Sequence, residues 1–395
     1  MSDPHEPGWR PARPFVVAAI AVRVVIVIVA LHNLTTQQVD SDYVPRIREI
    51  AGSSGAPWRD FEVEYPPLTT GLVLAIGNGS AEAIALRLLV IGVLADAVVA
   101  LALLRGFSGA AAGRYLVFSI PALVFVYLTL DLVPLALVVL GLAATERRRQ
   151  RGGGMLLGLA VLAKVWPIVL VPGWWIRGRP RAVAWSLATV AMGSLAWLAF
   201  SGAGGFVQVA TFRGTPGWQV ESTVGVLLWI FRRGTLYVAG NTFRIGAVPG
   251  WATILMGALL VAAVGGTWWR ARRDPDDAFG TPALAAVAAL MVFSPVLSYP
   301  YPVWLLPFAA LCRRRVPTAL AVTAVALTSG LWVAYAAEVP GRAPGAIQVG
   351  LLVRNLLLIA LVFTPWFPAR GRRRPSAQPA AAANRSSNTS GQPLA

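Results

Sequence analysis

The sequence predicts an all-α polytopic membrane protein, and three observations carry that prediction. Hydrophobic residues make up 56% of the chain and charged residues 13%, with a mean hydropathy of +0.65, a balance foreign to soluble domains. Apolar runs long enough to cross a bilayer recur along most of the 395 residues. Arginine clusters in the short connections between those runs, at 147–151, 177–181, 270–273, 313–315 and 370–374, as expected of segments on the cytoplasmic side.

Taken in order, the apolar runs fall near 14–31, 82–104, 115–145, 154–175, 182–201, 247–267, 278–297, 301–312, 317–337 and 347–366. Allowing for splits, they make about 10–12 transmembrane or half-spanning helices. Residues 1–13 are polar and lead into a span with no small-residue cleavage site, so they read as a cytoplasmic N-terminal tail. Residues 14–367 form the transmembrane domain. Residues 368–395, Arg-rich and then rich in Ala, Ser and Pro, read as a disordered basic cytoplasmic tail held near anionic lipid. The net charge of +17 thus sits at span ends and points to phospholipid headgroups, not nucleic acid. A single cysteine, Cys312, excludes an intrachain disulfide and a cysteine metal cluster, and two histidines leave no His-rich centre.

Acidic residues are distributed differently. Six of the 17 fall in the segment 32–66: Asp40, Asp42, Glu49, Asp60, Glu62 and Glu64. If the first helix runs outward, this is a long acidic first external loop, and long loops of this kind carry function. Val44 to Ile50 fits a short helix lying on the membrane surface, with Ser41 or Asp42 as its N-cap. Tyr65, Pro66 and Pro67 stiffen the return into the bilayer.

Lys164 is the only lysine, against 33 arginines, and it sits in the apolar run LAVLAKVWPIVLVP. The arginine clusters at 147–151 and 177–181 flank that run, and one straight span would put them on opposite sides. The break at Lys-Val-Trp-Pro resolves the conflict: 154–165 rise and 167–176 descend as two half-helices, with Lys164 near the apex, roughly 15 Å from the cytoplasmic face. Broken helices are tolerated where protein or a water-filled cavity surrounds them. An intramembrane ammonium is either a structural ion pair or a functional group. Arg23, Arg87, Asp96, Asp131 and Arg354 also interrupt apolar runs, and their partners are expected on other helices. With Arg105 and Arg114 cytoplasmic, Asp131 reaches the same side as the acidic loop, and 67–80 must be re-entrant or lie at the surface.

Five pieces stand out in order: PWRDFEVEYPPL at 57–68, DLVP at 131–134, GLAVLAKVWP at 158–167, QVES at 219–222 and FSPVLSYPYPVWLLP at 293–307. With an Asp-bearing loop after the first helix, this arrangement resembles the GT-C type membrane glycosyltransferases. It is most similar to their polyprenyl-phosphate-sugar-dependent branch, glycosyltransferase family 87, which includes phosphatidylinositol-mannoside mannosyltransferases. The resemblance covers about 14–315. Trp58 stands where the family usually has tyrosine, and Pro300 where it commonly has glutamine before Tyr301.

The resemblance implies a GT-C fold and transfer of a sugar, mannose, from a polyprenyl-phosphate donor to a lipid or cell-envelope glycan acceptor. It places the protein in the plasma membrane with its active site on the external or periplasmic side. Asp40 or Asp42 is then the general base that takes the acceptor proton, and displacement inverts the anomeric carbon. Lys164 and Arg213 are the implied cations for the leaving phosphate. Asp60, Glu64, Tyr65, Asp131, Gln219, Glu221, Ser222 and Tyr301 are the implied donor and acceptor pocket, with Glu64 and Tyr65 folding the loop. No metal ligand set is assigned, although the acidic loop has the charge to hold a divalent metal loosely. The alternative is a polytopic transporter or lipid flippase, which also uses broken helices and intramembrane charges; its inverted repeats are not evident in the sequence.

Overall fold

In the computed structural model, which describes residues 11–35, 43–211, 215–240, 242–336 and 344–367, the apolar runs become helices of two lengths. Asp40, Asp42, Arg213, residues 1–10 of the N-terminal tail and the whole C-terminal tail lie outside the described residues. Six helices are long and apolar enough to cross a membrane: α1 (Arg13–Thr35), α4 (Ala81–Gly106), α9 (Pro180–Ser201), α12 (Gly250–Ala271), α15 (Arg315–Ala336) and α16 (Pro344–Phe363). Among the shorter helices are α2 (Tyr43–Gly52), α3 (Pro67–Ile76), α5 (Gly109–Phe118), α6 (Leu132–Glu146) and α7 (Gln150–Ala163). They continue with α8 (Val171–Ile176), α10 (Ala203–Ala210), α11 (Thr223–Ile230), α13 (Thr281–Val292) and α14 (Leu306–Leu311).

Local chemistry sets many of the starts. Ser80, Ser108 and Ser222 cap α4, α5 and α11 through hydrogen bonds from Ala83, Ala111 and Gly225 backbone N–H groups. Proline opens α3, α9 and α13, where its missing N–H costs nothing. The long helices α1, α9 and α12 leave most of their apolar surface uncovered, with Met192 71% and Ile254 75% exposed, as expected where the neighbour is lipid.

The arginine-bearing ends at 105–114, 146–177, 270–276 and 310–314 meet at one end of the molecule. Arg147 donates to the Arg105 carbonyl, Arg177 pairs with Glu146 at 3.1 Å, and Arg177 also reaches the Pro275 and Asp276 carbonyls. Arg270 and Arg314 donate to the Pro365 and Thr364 carbonyls, and Arg114 to that of Ala310. Glu146 and Arg177 flank the run that carries Lys164, so that run leaves the basic end and returns to it.

Three stretches share this path: 109–146, 150–177 and 281–312. Each rises from the basic end, breaks, and comes back. The first breaks through two short 3-10 segments at Ile120–Val124 and Val126–Leu128, the second at Lys164, the third at residues 293–300. With 14 residues, α7 is about 21 Å long, short of the roughly 30 Å hydrocarbon core. Helix α3 has the complementary habit. It starts beside Ala163, where Thr69 donates to that carbonyl at 2.6 Å. It ends beside α2 and the end of α4 away from Arg105, where Arg87 donates to the Ile76 carbonyl at 2.7 Å. It does not cross.

Helix α7 is clamped between α6 and α9 by small residues. A Cβ on Gly154 would lie 2.3 Å from the Ala182 carbonyl oxygen, and one on Gly158 2.5 Å from Thr189, the close backbone approach that small residues permit between membrane helices. Gly153 and Gly154 are therefore a packing surface, whereas Gly152 before them is exposed.

The opposite end carries a part the helical prediction did not contain, a three-stranded antiparallel sheet. Strands β1 (Trp218–Gln219), β2 (Leu236–Ala239) and β3 (Thr242–Ile245) are ordered β1-β3-β2. Strand β1 pairs Trp218 with Ile245 and Gln219 with Arg244.

Candidate active site

The tips of the three returning stretches converge on a cavity of about 850 Å³. Loop residues 43–66 and the sheet end of the molecule complete its walls. Lys164 stands at the second tip because α7 stops there. Its backbone is extended (φ −157°, ψ 130°), and a 3-10 turn opens immediately after it with Pro167, whose missing N–H breaks the helical ladder. Its side chain, 22% exposed, reaches across to Asp131 at the first tip, Nζ to Oδ1 2.5 Å.

Asp131 is completely buried beneath the cavity. Trp304 Nε1, from the third tip, donates to its Oδ1 at 2.8 Å, and the Tyr43 hydroxyl donates to Oδ2 at 3.0 Å. Asp131 also precedes α6, where the helix dipole favours a carboxylate. Sequence placed Asp131 on the outer face; it shares a side with the acidic loop, through Tyr43, but lies inside the protein. Burial and the Asp131 charge together hold the Tyr43 hydroxyl well above the usual tyrosine range.

Aromatic rings wall the ammonium. Trp166 stacks on Trp304 at 5.0 Å and 7°, and Trp304 on Tyr301 at 4.4 Å. Lys164 Nζ lies 4.6 Å from the Tyr301 ring centre and 5.0 Å from that of Trp304. A stacked, partly apolar surface beside a cation suits the face of a sugar and the charge next to it.

The loop forms the next wall. Glu64 and Tyr65 line the cavity, and Glu64 takes a double hydrogen bond from Arg46 of α2, at 2.7 Å to Oε2 and 3.1 Å to Oε1. Trp58, in the left-handed region at φ 65°, packs its ring 5.4 Å from that of Trp197 and donates to the Tyr65 carbonyl. Such a backbone costs energy for a bulky residue and persists where surrounding contacts demand it. Gln208 of α10 clasps the same loop, donating to the Trp58 carbonyl and accepting from the Val63 N–H.

The sheet end forms the last wall. Gln219 lines the cavity and holds the third tip in place, its N–H donating to the Pro295 carbonyl and its Oε1 accepting from Leu297. Glu221 lines the cavity as well. Its carbonyl accepts from Arg354 and Asn355 of α16, whereas its carboxylate Oε2 is buried without a hydrogen bond. Burial raises its carboxyl to about 7.

Of the residues expected from sequence, Glu64, Tyr65, Lys164, Gln219, Glu221 and Tyr301 line this cavity, with Asp131 directly beneath Lys164. Two lie elsewhere. Asp60 accepts the Ala56 N–H at 2.6 Å and holds an exposed turn. Ser222 is consumed by capping α11 and bonding the Gln219 carbonyl. Asp40, Asp42 and Arg213 lie outside the described residues. Among the described residues no group of three or more His, Cys, Asp or Glu side chains is close enough to hold a metal ion. Sequence reasoning missed Tyr43, Arg46 and Tyr335; Tyr43 had one available signal, its place directly after the Asp-Ser-Asp motif.

A comparison with protein-family models matches residues 64–295, more than half of the chain, to glycosyltransferase family 87. No curated protein matches the sequence. The matched region holds all three tips up to Pro295, including Asp131, Lys164 and Glu221. The chain belongs to glycosyltransferase family 87 and is a multi-pass membrane glycosyltransferase.

Proposed function

We propose that the protein transfers mannose from a polyprenyl-phosphate donor to a lipid or cell-envelope glycan acceptor, with inversion at the anomeric carbon. The observation that carries this reading is the joining of the acidic loop to the cavity: Tyr43, next after Asp42 in the chain, bonds the same carboxylate that holds Lys164. The lipid carrier brings its headgroup into the cavity laterally from the bilayer. Asp40 or Asp42 takes the proton of the acceptor hydroxyl as that oxygen bonds the anomeric carbon. The bond from that carbon to the phosphate oxygen breaks, and the electron pair leaves with the phosphate.

Lys164 faces the developing phosphate charge while Asp131 fixes its position, and Tyr301 and Trp304 offer ring faces to the sugar. Arg213 is a further phosphate cation, and Gln219 and Glu221 receive sugar or acceptor hydroxyls. With the arginine-rich end cytoplasmic by the charge rule, the cavity opens to the outer side of the plasma membrane.

The test is transfer of label from radiolabelled polyprenyl-phosphate mannose in membranes expressing the chain at matched levels, beside Asp40→Asn, Asp42→Asn and Lys164→Ala. A labelled glycoside that one Asp variant abolishes and Lys164→Ala diminishes is the expected result. Label that crosses the membrane with no new glycoside would overturn it in favour of transport.

A further inference from the structure

Among the described residues three cations line the cavity: Arg46, Lys164 and Arg354. Two are neutralised. Arg46 bonds Glu64 and Glu49, each at 2.7 Å, and Lys164 bonds Asp131 at 2.5 Å. Arg354 is different. It sits midway along α16, is 1% exposed, and makes no salt bridge among the described residues. Its Nε and Nη2 bond the neutral Asn355 Oδ1 at 3.1 and 2.9 Å, and Nη2 also bonds the Glu221 carbonyl. No described residue accepts a hydrogen bond from its Nη1.

A guanidinium held inside a membrane protein without a counter-charge is strongly unfavourable. Its neighbours deepen the imbalance. The Tyr335 hydroxyl and Glu221 Oε2 are both buried without a hydrogen bond, and both line the same cavity as Arg354. Burial raises the Glu221 carboxyl to about 7, which weakens it as a counter-charge to the arginine. Leu331, Trp332 and Leu351 supply apolar wall from the same helices. The corner thus offers the Arg354 charge, one hydroxyl, one carboxyl and hydrocarbon beside them, with the buried Arg244 of β3 also acting on Glu221.

We propose that Arg354 is the anion-binding group of this cavity and receives the phosphate of the lipid-linked sugar donor, with Tyr335 as a second donor to it. The proposal rests on the polyprenyl-phosphate reading above and adds a residue outside the family match, which ends at 295. Nε and Nη2 are held by Asn355 and the Glu221 carbonyl, so Nη1 is the nitrogen left to donate to a phosphate oxygen, from a guanidinium whose delocalised charge is more weakly hydrated than an ammonium's. Lys164 then steadies the sugar side of the phosphate with a charge already shared with Asp131, and Arg354 carries the charge that the phosphate completes.

The test uses the full-length protein in nanodiscs and compares binding of undecaprenyl phosphate with that of undecaprenol, which differs only in lacking the phosphate. The wild type should prefer the phosphate by on the order of tenfold to a hundredfold. Arg354→Gln should bring the two lipids to near equality, Arg354→Lys should give an intermediate ratio, and Tyr335→Phe should lower it a few-fold.

A wild-type ratio in Arg354→Gln, or in Arg354→Lys should the glutamine variant fail to fold, overturns the proposal while leaving the donor class standing. Restoration of the ratio in Arg354→Gln/Glu221→Gln also overturns it, since Arg354 would then serve only to offset Glu221. Equal binding of both lipids by the wild type removes the donor class and the proposal together.

Discussion

Among the described residues two ion pairs lie inside the membrane region, and they are built to opposite ends. Arg23 of α1 meets Asp96 of α4 at 2.7 Å, and the Tyr115 and Tyr127 hydroxyls donate to the same carboxylate at 2.6 and 2.9 Å. The guanidinium gives its other donors to the Ala19 and Leu116 carbonyls and to Ser119. Neither residue lines the cavity, so the charges of the pair are closed in by protein. Lys164 and Asp131 make a contact of 2.5 Å, but only the carboxylate is enclosed. The ammonium keeps donors free toward the cavity and the rings of Tyr301 and Trp304. A buried charge in a membrane protein therefore signals function when its bonding capacity is left incomplete toward a space, and signals architecture when it is complete.

The sharpest way to break this comparison is to remove each carboxylate in turn. Asp131→Asn leaves the ammonium without its counter-charge and weakens the Tyr43 and Trp304 contacts, so transfer activity per folded molecule should fall by about a hundredfold or more, on the scale of a broken buried pair. Asp96→Asn should lower the yield and melting temperature of the protein, while the fraction that folds keeps activity within a few-fold of wild type. Activity per folded molecule measured after size-exclusion purification decides it; an inactive, well-folded Asp96→Asn protein would erase the distinction.

A smaller effect should come from moving Lys164 without changing it. Gly158→Val places methyl groups where Thr189 already stands, and overpacking of this kind typically costs about 1–3 kcal/mol. Part of that strain should shift the end of α7, with transfer expected to drop roughly tenfold. Thr189→Gly in the same background removes the Cβ that clashes and should recover part of it, as read by transfer rate and by melting temperature together.

The smallest effect concerns Glu221. Its carboxyl, raised to about 7, faces Arg354 on α16, Arg244 on β3 and Tyr335 on α15. Below that pH it is neutral; above it, its negative charge opposes an incoming phosphate. Undecaprenyl phosphate binding should weaken a few-fold from pH 6 to pH 8, and Glu221→Gln should flatten that slope. The same shift has a stability counterpart. The folded state binds this proton more tightly than the unfolded chain, so this residue lowers stability progressively as pH rises from about 4.5 to about 7. The Gln variant should lose that dependence in thermal unfolding.

Much of this was legible in the sequence, and the reasons are physical. Hydropathy and arginine placement report on lipid and headgroups, so they gave the class and the common side of the 147–151 and 177–181 clusters. Proline and the arginine parity together placed the break at Lys164, and the same parity required 67–80 not to cross, as α3 does not. Pairings across helices were not legible. Arg23 and Asp96 are 73 positions apart and Asp131 and Trp304 173, and no periodicity within one helix encodes such contacts. Asp60 and Ser222 misled because they sit inside family motifs whose local work is turning and capping. The sheet at 218–245 was hidden because β1 has two residues and β2 and β3 four each, too short for alternation to declare itself.

The pairing of Lys164 with Asp131 also bears on how the chain is made. The carboxylate lies 33 residues ahead of the lysine, so during synthesis it leaves the ribosome first and its helix can enter the membrane before α7 does. On that order of insertion the ammonium would meet its counter-ion on reaching the apex of the hairpin and would not have to be stored in bare hydrocarbon.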